Sequence, residues 1–177
     1  ILRDPRERIA SFYFYLLKKA ETLPKANLEL PQHTGLRTVL NSSADDYFFG
    51  GNPGWQRFIR DHYDNFYCSY FASRKMRGRV DLIELNKAEV LEQALRHANA
   101  IDAVYSLDTL HKLEDDLEPI LKKRVSIVGN RHNAGPKPAE VLRWPELIAR
   151  LESDSSIAEL EKFVTLDENF CQQVTYR

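Results

Sequence analysis

The sequence predicts an α/β fold on three observations. The apolar pair Ile1-Leu2 reads as the end of a strand and meets helix-start chemistry at once, in Asp4 and Pro5. A second short apolar run, "DAVYSL" (102–107), is a strand candidate followed by Asp108 as the cap of another helix. The rest of the chain is helix-rich with few strands, and strand followed by helix recurs at least twice, which makes α/β the natural class. At 177 residues the length is that of one domain with a sizeable core, so residues 1–177 are read as a single unit.

The elements follow in order. Asp4 is a good N-cap, Pro5 sits at the first helical position, and Glu7 completes a capping box for a helix to about Lys19. Ile9, Phe12, Tyr13 and Leu16 fall at helical spacing, with Ala10, Phe14 and Leu17 widening the buried stripe. The opposite face carries Arg8, Ser11, Tyr15 and Lys18. Residues 20–54 hold Pro24, Pro31, Gly35, "NSSADD" and "GGNPG", and predict a long, partly irregular excursion, a candidate substrate-facing loop. Asn52-Pro53 starts a helix through "WQRFIRDHYDNFYCSYFASRK", whose aromatics are dense enough to be core, and "RKMRGR" (74–79) is a basic loop.

Asn86 and Glu89 predict a second capping box for a helix to about Ala98. After Asp108, Leu110, Leu113, Leu117 and Leu121 form one apolar stripe that Pro119 should bend or shorten. "VSIVGNRHNAGPKP" is a loop after a short apolar run, and helices follow near 139–151, 154–164 and 167–175. No internal repeat or low-complexity tract is present.

Composition narrows the function classes. Hydrophobic residues at 43% and charged residues at 29% give an ordinary folded balance. No stretch reaches the roughly 20 apolar residues that a membrane helix needs. Cys68 and Cys171 have no metal-ligand spacing, and so few cysteines favour a reducing compartment. The net charge of -1 hides an asymmetry: residues 1–79 carry 13 Lys/Arg against 8 Asp/Glu, and residues 80–177 carry 12 against 18. A basic first half favours an anionic ligand there, although two ordinary solvated faces would give the same count. Nucleic acid is not expected as a partner, because the basic residues belong to no known module and the pI is about 6.6.

The opening corner carries the chemistry. Where a strand ends at a helix N-terminus, unpaired N–H groups and the positive end of the helix dipole face one spot. Arg3 adds a planar donor fork suited to bidentate contact with phosphate. Ser11, two turns along the helix beside Arg8, offers a hydroxyl to the same anion. The bland alternative pairs Arg3 with a nearby carboxylate such as Glu7, and Ser11 then merely lightens the helix face.

"LRDPRERIASFYFYL" resembles the segment that binds the donor's 3′-phosphate in sulfotransferases using 3′-phosphoadenosine 5′-phosphosulfate (PAPS), of the Golgi carbohydrate type and its bacterial counterparts. The pattern is Arg3, Asp4 and Pro5, then Arg8, Ser11, Tyr13 and Tyr15. The resemblance implies that Arg3 and Ser11 grip the 3′-phosphate while Asp4 and Pro5 shape the turn. It also implies a P-loop-type sulfotransferase fold whose parallel sheet is only partly present in this chain. "HYDNFYCSYFASRK" is similar to a later helix of the family, although Ser69 stands where an arginine is often found. "VYSLDTLHKLEDDLEPILKK" resembles the late strand and helix, and "SIAELEKFVTLDENFCQQV" the closing helices. "NRHNAG" is similar to the loop that covers the nucleotide, which makes Arg131 and Asn133 donor contacts.

The implied activity is in-line transfer of a sulfuryl group to an acceptor hydroxyl, with a carbohydrate favoured. In the family the 5′-phosphosulfate is held by an upstream strand–loop–helix, and the catalytic base commonly lies upstream too, so the strand–P-loop–helix portion is expected to be missing here. No catalytic residue is assigned. Each of His33, His62, His97, His111 and His132 reads first as a surface or satisfied core residue. The family places such chains in the cytoplasm of bacteria or, as the alternative, in the lumenal domain of a Golgi membrane protein. The competing functions are a non-catalytic helix-rich module that binds a partner, and another P-loop transferase such as a kinase.

Overall fold

The Asp4 carboxylate accepts the backbone N–H of Glu7 at 2.9 Å, and Pro5 supplies the first turn of α1 (Pro5–Thr22). A computed structural model of the chain describes residues 1–128 and 141–177. The segment expected to be long and partly irregular is largely helical: α2 (Lys25–Leu28), a 3₁₀ turn at Pro31–His33, α3 (Thr34–Asn41) and α4 (Ala44–Phe49). Apolar burial explains the difference. Leu36 and Val39 of α3 turn into the core against α1, and Ser43 caps α4 by accepting Asp46 N at 3.1 Å. Turn residues therefore punctuate short helices here. α4 stops at Gly50, where a Cβ would lie 2.7 Å from the Asp46 carbonyl oxygen.

Asn52 caps α5 (Pro53–His62) by accepting Trp55 N at 2.9 Å. The long aromatic helix expected from residue 53 breaks at Asn65, whose backbone is left-handed (φ 48, ψ 51), and resumes as α6 (Phe66–Ser73). Asparagine is among the few residues that adopt this conformation at modest cost. A 3₁₀ turn at Arg79–Leu82 leads to α7 (Lys87–Ala98), whose capping box forms as predicted between Asn86 and Glu89. α8 (Leu110–Leu121) ends two residues after Pro119, in a left-handed Lys122. Beyond residue 140 come α9 (Trp144–Ile148), α10 (Asp154–Lys162) and α11 (Thr165–Gln173).

The α/β expectation, and with it the P-loop-type fold with a partial parallel sheet, is corrected: the described residues are all-α, without a β-strand or sheet. The two predicted strand segments do meet in parallel, as a single bridge between Leu2 and Ser106. Leu2 N donates to Tyr105 O at 2.7 Å, and Leu107 N donates to Leu2 O at 3.1 Å. Extended backbone then ends on both sides, in α1 and in the 3₁₀ turn at Leu107–Thr109. So short a pairing gives one rung, whereas an independently stable sheet needs about three strands or more.

Two apolar clusters hold the helices. The first joins α1 to α3, α4, α5, α9 and α10 around Ile9, Tyr13, Tyr47, Phe48, Ile59, Tyr63, Leu147 and Leu160. Its aromatic rings meet edge-on, with Tyr47–Phe48 centroids at 5.0 Å and Phe48–Tyr63 at 5.1 Å, a geometry worth roughly 0.5–1.5 kcal/mol per pair beyond area burial. The second joins α6, α7 and α11 to Leu2 and Val104. Leu2 is thus anchored in one cluster while the helix it feeds belongs to the other, and Arg3 stands at the joint.

Candidate functional site

Arg3 is fixed through its backbone before its side chain matters. Its neighbour Leu2 is buried and bonded to Tyr105, and its own N–H donates to the Tyr67 hydroxyl at 3.0 Å. From that position the guanidinium reaches along α1, and Nη1 donates to the Ser11 hydroxyl oxygen at 2.6 Å. The two residues singled out by sequence are therefore in direct contact. Asp4 and Pro5 set the turn between them, as the capping bond requires.

The competing carboxylate is occupied elsewhere. Glu7 is buried, and its two oxygens accept Arg143 N at 2.9 and 3.0 Å and Trp144 N at 2.8 Å, at the start of α9. Among the described residues no carboxylate pairs with Arg3. Arg6, one turn on, is bound to Glu161 at 2.7 Å and to Glu168. Of the three arginines around the first turn of α1, Arg6 is paired with acids, and Arg3 and Arg8 have no carboxylate within ion-pair distance among the described residues.

Arg8 is the second of these, and sequence reading gave it no role. Its guanidinium lies over the Phe66 ring at 3.6 Å and within 5.7 Å of the Tyr67 ring, a cation–π arrangement. Among the described residues it forms no hydrogen bond or ion pair. Burial lowers its pKa, an effect opposed by Tyr67, Asp167 and Tyr63. The contact joins residue 8 to residue 66, so no local motif announces it. His62 stands nearby at the end of α5, stacked on Phe58 at 4.2 Å, with Nδ1 2.9 Å from the Phe58 carbonyl oxygen. That carbonyl needs a donor, so the neutral tautomer carries its proton on Nδ1 and leaves Nε2 as an acceptor. Burial holds the imidazole pKa below the ordinary value, and Arg77 and Arg8 push it the same way.

Arg3 and Ser11 thus place a guanidinium and a hydroxyl together on α1, while the Arg8 guanidinium is held against the Phe66 ring. Arg131 and Asn133 lie outside the described residues, as does His132. His33 Nδ1 bonds to Asn27 O and His97 Nδ1 to Phe71 O, both structural contacts, and His111 is exposed. In the basic loop, Lys75 pairs with Asp81 at 2.8 Å and Arg79 with Asp64 at 2.8 Å. Both cysteines are free thiols, and burial pushes Cys171 up to about 11. No group of acids, histidines and cysteines among the described residues could hold a metal ion. No described helix is long and apolar enough to cross a membrane. No protein-family model, curated protein or solved structure matches the chain.

Proposed function

We propose that this chain contributes the 3′-phosphate half of a PAPS site, in an enzyme that transfers a sulfuryl group to an acceptor hydroxyl, with a carbohydrate as the favoured acceptor. The observation that carries this reading is the Arg3 Nη1 to Ser11 Oγ contact at 2.6 Å, made by a guanidinium with no carboxylate partner among the described residues. Two donors held on one face supply charge and direction to a bound phosphate, and that work is positioning. Arg3 brings its remaining N–H groups, and Ser11 can turn its hydroxyl outward as a donor. Arg8 adds a second positive charge one turn before Ser11. The deprotonation of the acceptor is assigned to no residue of this chain.

The test is calorimetric titration of the protein with adenosine 3′,5′-bisphosphate and, separately, with ATP. The bisphosphate should bind the more tightly, and Arg3→Ala should weaken it about tenfold or more, the usual cost of a lost charged hydrogen bond. Equal affinity for the two nucleotides, or an Arg3→Ala variant that binds as wild type, removes the reading. Transfer of labelled sulfate from PAPS to a sugar hydroxyl then tests the activity itself.

A second reading, a non-catalytic partner-binding module, draws on α8. No residue of that helix is buried, and Leu107 just before its start and Ile120 and Leu121 at its end are exposed. A chain that binds neither nucleotide supports that module.

A further inference from the structure

A cavity of about 430 Å³ opens between α5, α6, α7, α10 and α11 and shares no residue with the Arg3–Ser11 corner. Its size is in the range that takes small organic ligands, about 300–1,000 Å³. The lining divides in two. Leu82, Val90, Phe163 and Leu166 give it an apolar floor, and Ile83, 70% exposed, stands at the mouth. Four cations surround that floor, Arg60, Arg79, Lys87 and Lys162, against the two carboxylates Asp64 and Glu159.

The charges are not all spent on each other. Asp64 is nearly buried and serves Arg79 at 2.8 Å and Arg60 only at 3.7 Å. Lys162 is paired with Glu159 in an exposed contact, the kind that contributes little and exchanges readily. Lys87 has no partner among the described residues, and neither does the Ser69 hydroxyl, which lines the same cavity. An excess of positive charge above an apolar floor selects a ligand with an anionic head and a hydrophobic body.

We propose that this cavity binds a small amphipathic organic anion, an aromatic or alkyl sulfonate, sulfate ester or carboxylate. Its head lies between Lys87 and Lys162 within reach of Ser69, and its body covers Leu82, Phe163 and Ile83. Ser69 of α6 and Asn65 just before that helix line this cavity, while Phe66 of the same helix meets Arg8. The site is thus separate from the proposed nucleotide corner and does not depend on it.

The probe is 1-anilinonaphthalene-8-sulfonate, followed by its fluorescence on titration into the folded protein. One saturable site is expected. Lys87→Ala and Lys162→Ala, both at exposed positions, should each weaken it by about three- to tenfold, the loss of one partly solvated charged contact. Ile83→Ser should weaken it by a similar factor, and Arg3→Ala should leave it unchanged. Circular dichroism checks that each variant is folded. The uncharged analogue N-phenyl-1-naphthylamine and inorganic sulfate should both bind at least tenfold more weakly. The proposal is overturned if the two lysine variants bind as wild type, if Arg3→Ala is the variant that loses binding, or if either analogue matches the probe.

Discussion

Asn65 and Asp167 cap each other's helices. The Asn65 side-chain oxygen accepts Leu166 N at 2.7 Å and Asp167 N at 3.2 Å, at the start of α11. The Asp167 carboxylate answers by accepting Tyr67 N at 2.9 Å and Cys68 N at 2.8 Å, at the start of α6. Two positive helix ends are thereby brought together around one negative charge, satisfying N–H groups that would otherwise be buried without partners. The left-handed turn at Asn65 is what aims its side chain across the junction. Its amide also donates to Asp64 and to the Lys162 carbonyl, so all of its polar atoms are engaged.

This junction makes stability depend on pH. Burial raises the Asp167 pKa from 3.8 to about 6, against the opposing pull of the Cys68 and Tyr67 N–H groups and of Arg8. A carboxyl group with a raised folded-state pKa binds its proton more tightly in the native state than in the unfolded chain. Its contribution to stability is therefore complete below about pH 4 and is lost as the pH rises to about 6, with a total of up to about 3 kcal/mol. Asp167→Asn removes the titration. In urea unfolding at pH 4.5 and pH 7, the stability gap between wild type and this variant should be wider at the lower pH. A gap that is equal at both, or wider at pH 7, contradicts the assignment.

Glu7 stabilises α9 across the first core cluster. Its carboxylate accepts the N–H groups of Arg143 and Trp144 from a buried position. Glu7→Gln keeps the shape, removes the charge and turns an amide donor toward one of those N–H groups. The expected loss is about 1–3 kcal/mol in chemical denaturation, from weakened charged hydrogen bonds and one orphaned donor. Arg3 makes no contact with this carboxylate, so nucleotide binding should survive under conditions where the variant is folded.

The Tyr47 and Tyr63 hydroxyls, 2.8 Å apart and buried, give a sharper test of how polar groups behave in this core. Tyr63→Phe leaves the Tyr47 hydroxyl buried without its partner and should cost about 1–3 kcal/mol. Replacing both tyrosines by phenylalanine removes the orphan, and the double variant should recover much of that loss. Thermal unfolding of the two singles and the double measures this directly. Strictly additive losses would mean that each hydroxyl had found another partner.

What sequence made legible here was local. The Asp4 and Asn86 caps, the apolar stripe of α1 and the meeting of Arg3 with Ser11 all lie within a few turns of chain, where residue spacing fixes geometry. The strand expectation failed because apolar pattern alone cannot count partners. Leu2 and Val104 are buried as a strand's residues would be, yet only one parallel bridge forms between their segments. The break at Asn65 was equally hidden. Asparagine is a weak local signal for a helix stop, but the partner that uses the turn, Asp167, lies about a hundred residues away. Arg8 escaped for the same reason, since the ring beneath it belongs to α6.

The Arg3–Ser11 contact also predicts how the two residues should fail together. If they share one phosphate, removing either disturbs the other's geometry, because Ser11 Oγ is the atom on which Arg3 Nη1 rests. In calorimetry with adenosine 3′,5′-bisphosphate, Ser11→Ala should weaken binding by about tenfold, and Arg3→Ala by as much or more. The double variant should be scarcely weaker than Arg3→Ala alone, because residues in direct contact couple by about 0.5–3 kcal/mol. Arg3→Lys keeps the charge but loses the planar fork, so it should recover only a small part of the affinity. Full additivity in the cycle, or full recovery by lysine, would mean that the guanidinium acts as a distant charge and that the corner does not hold the phosphate.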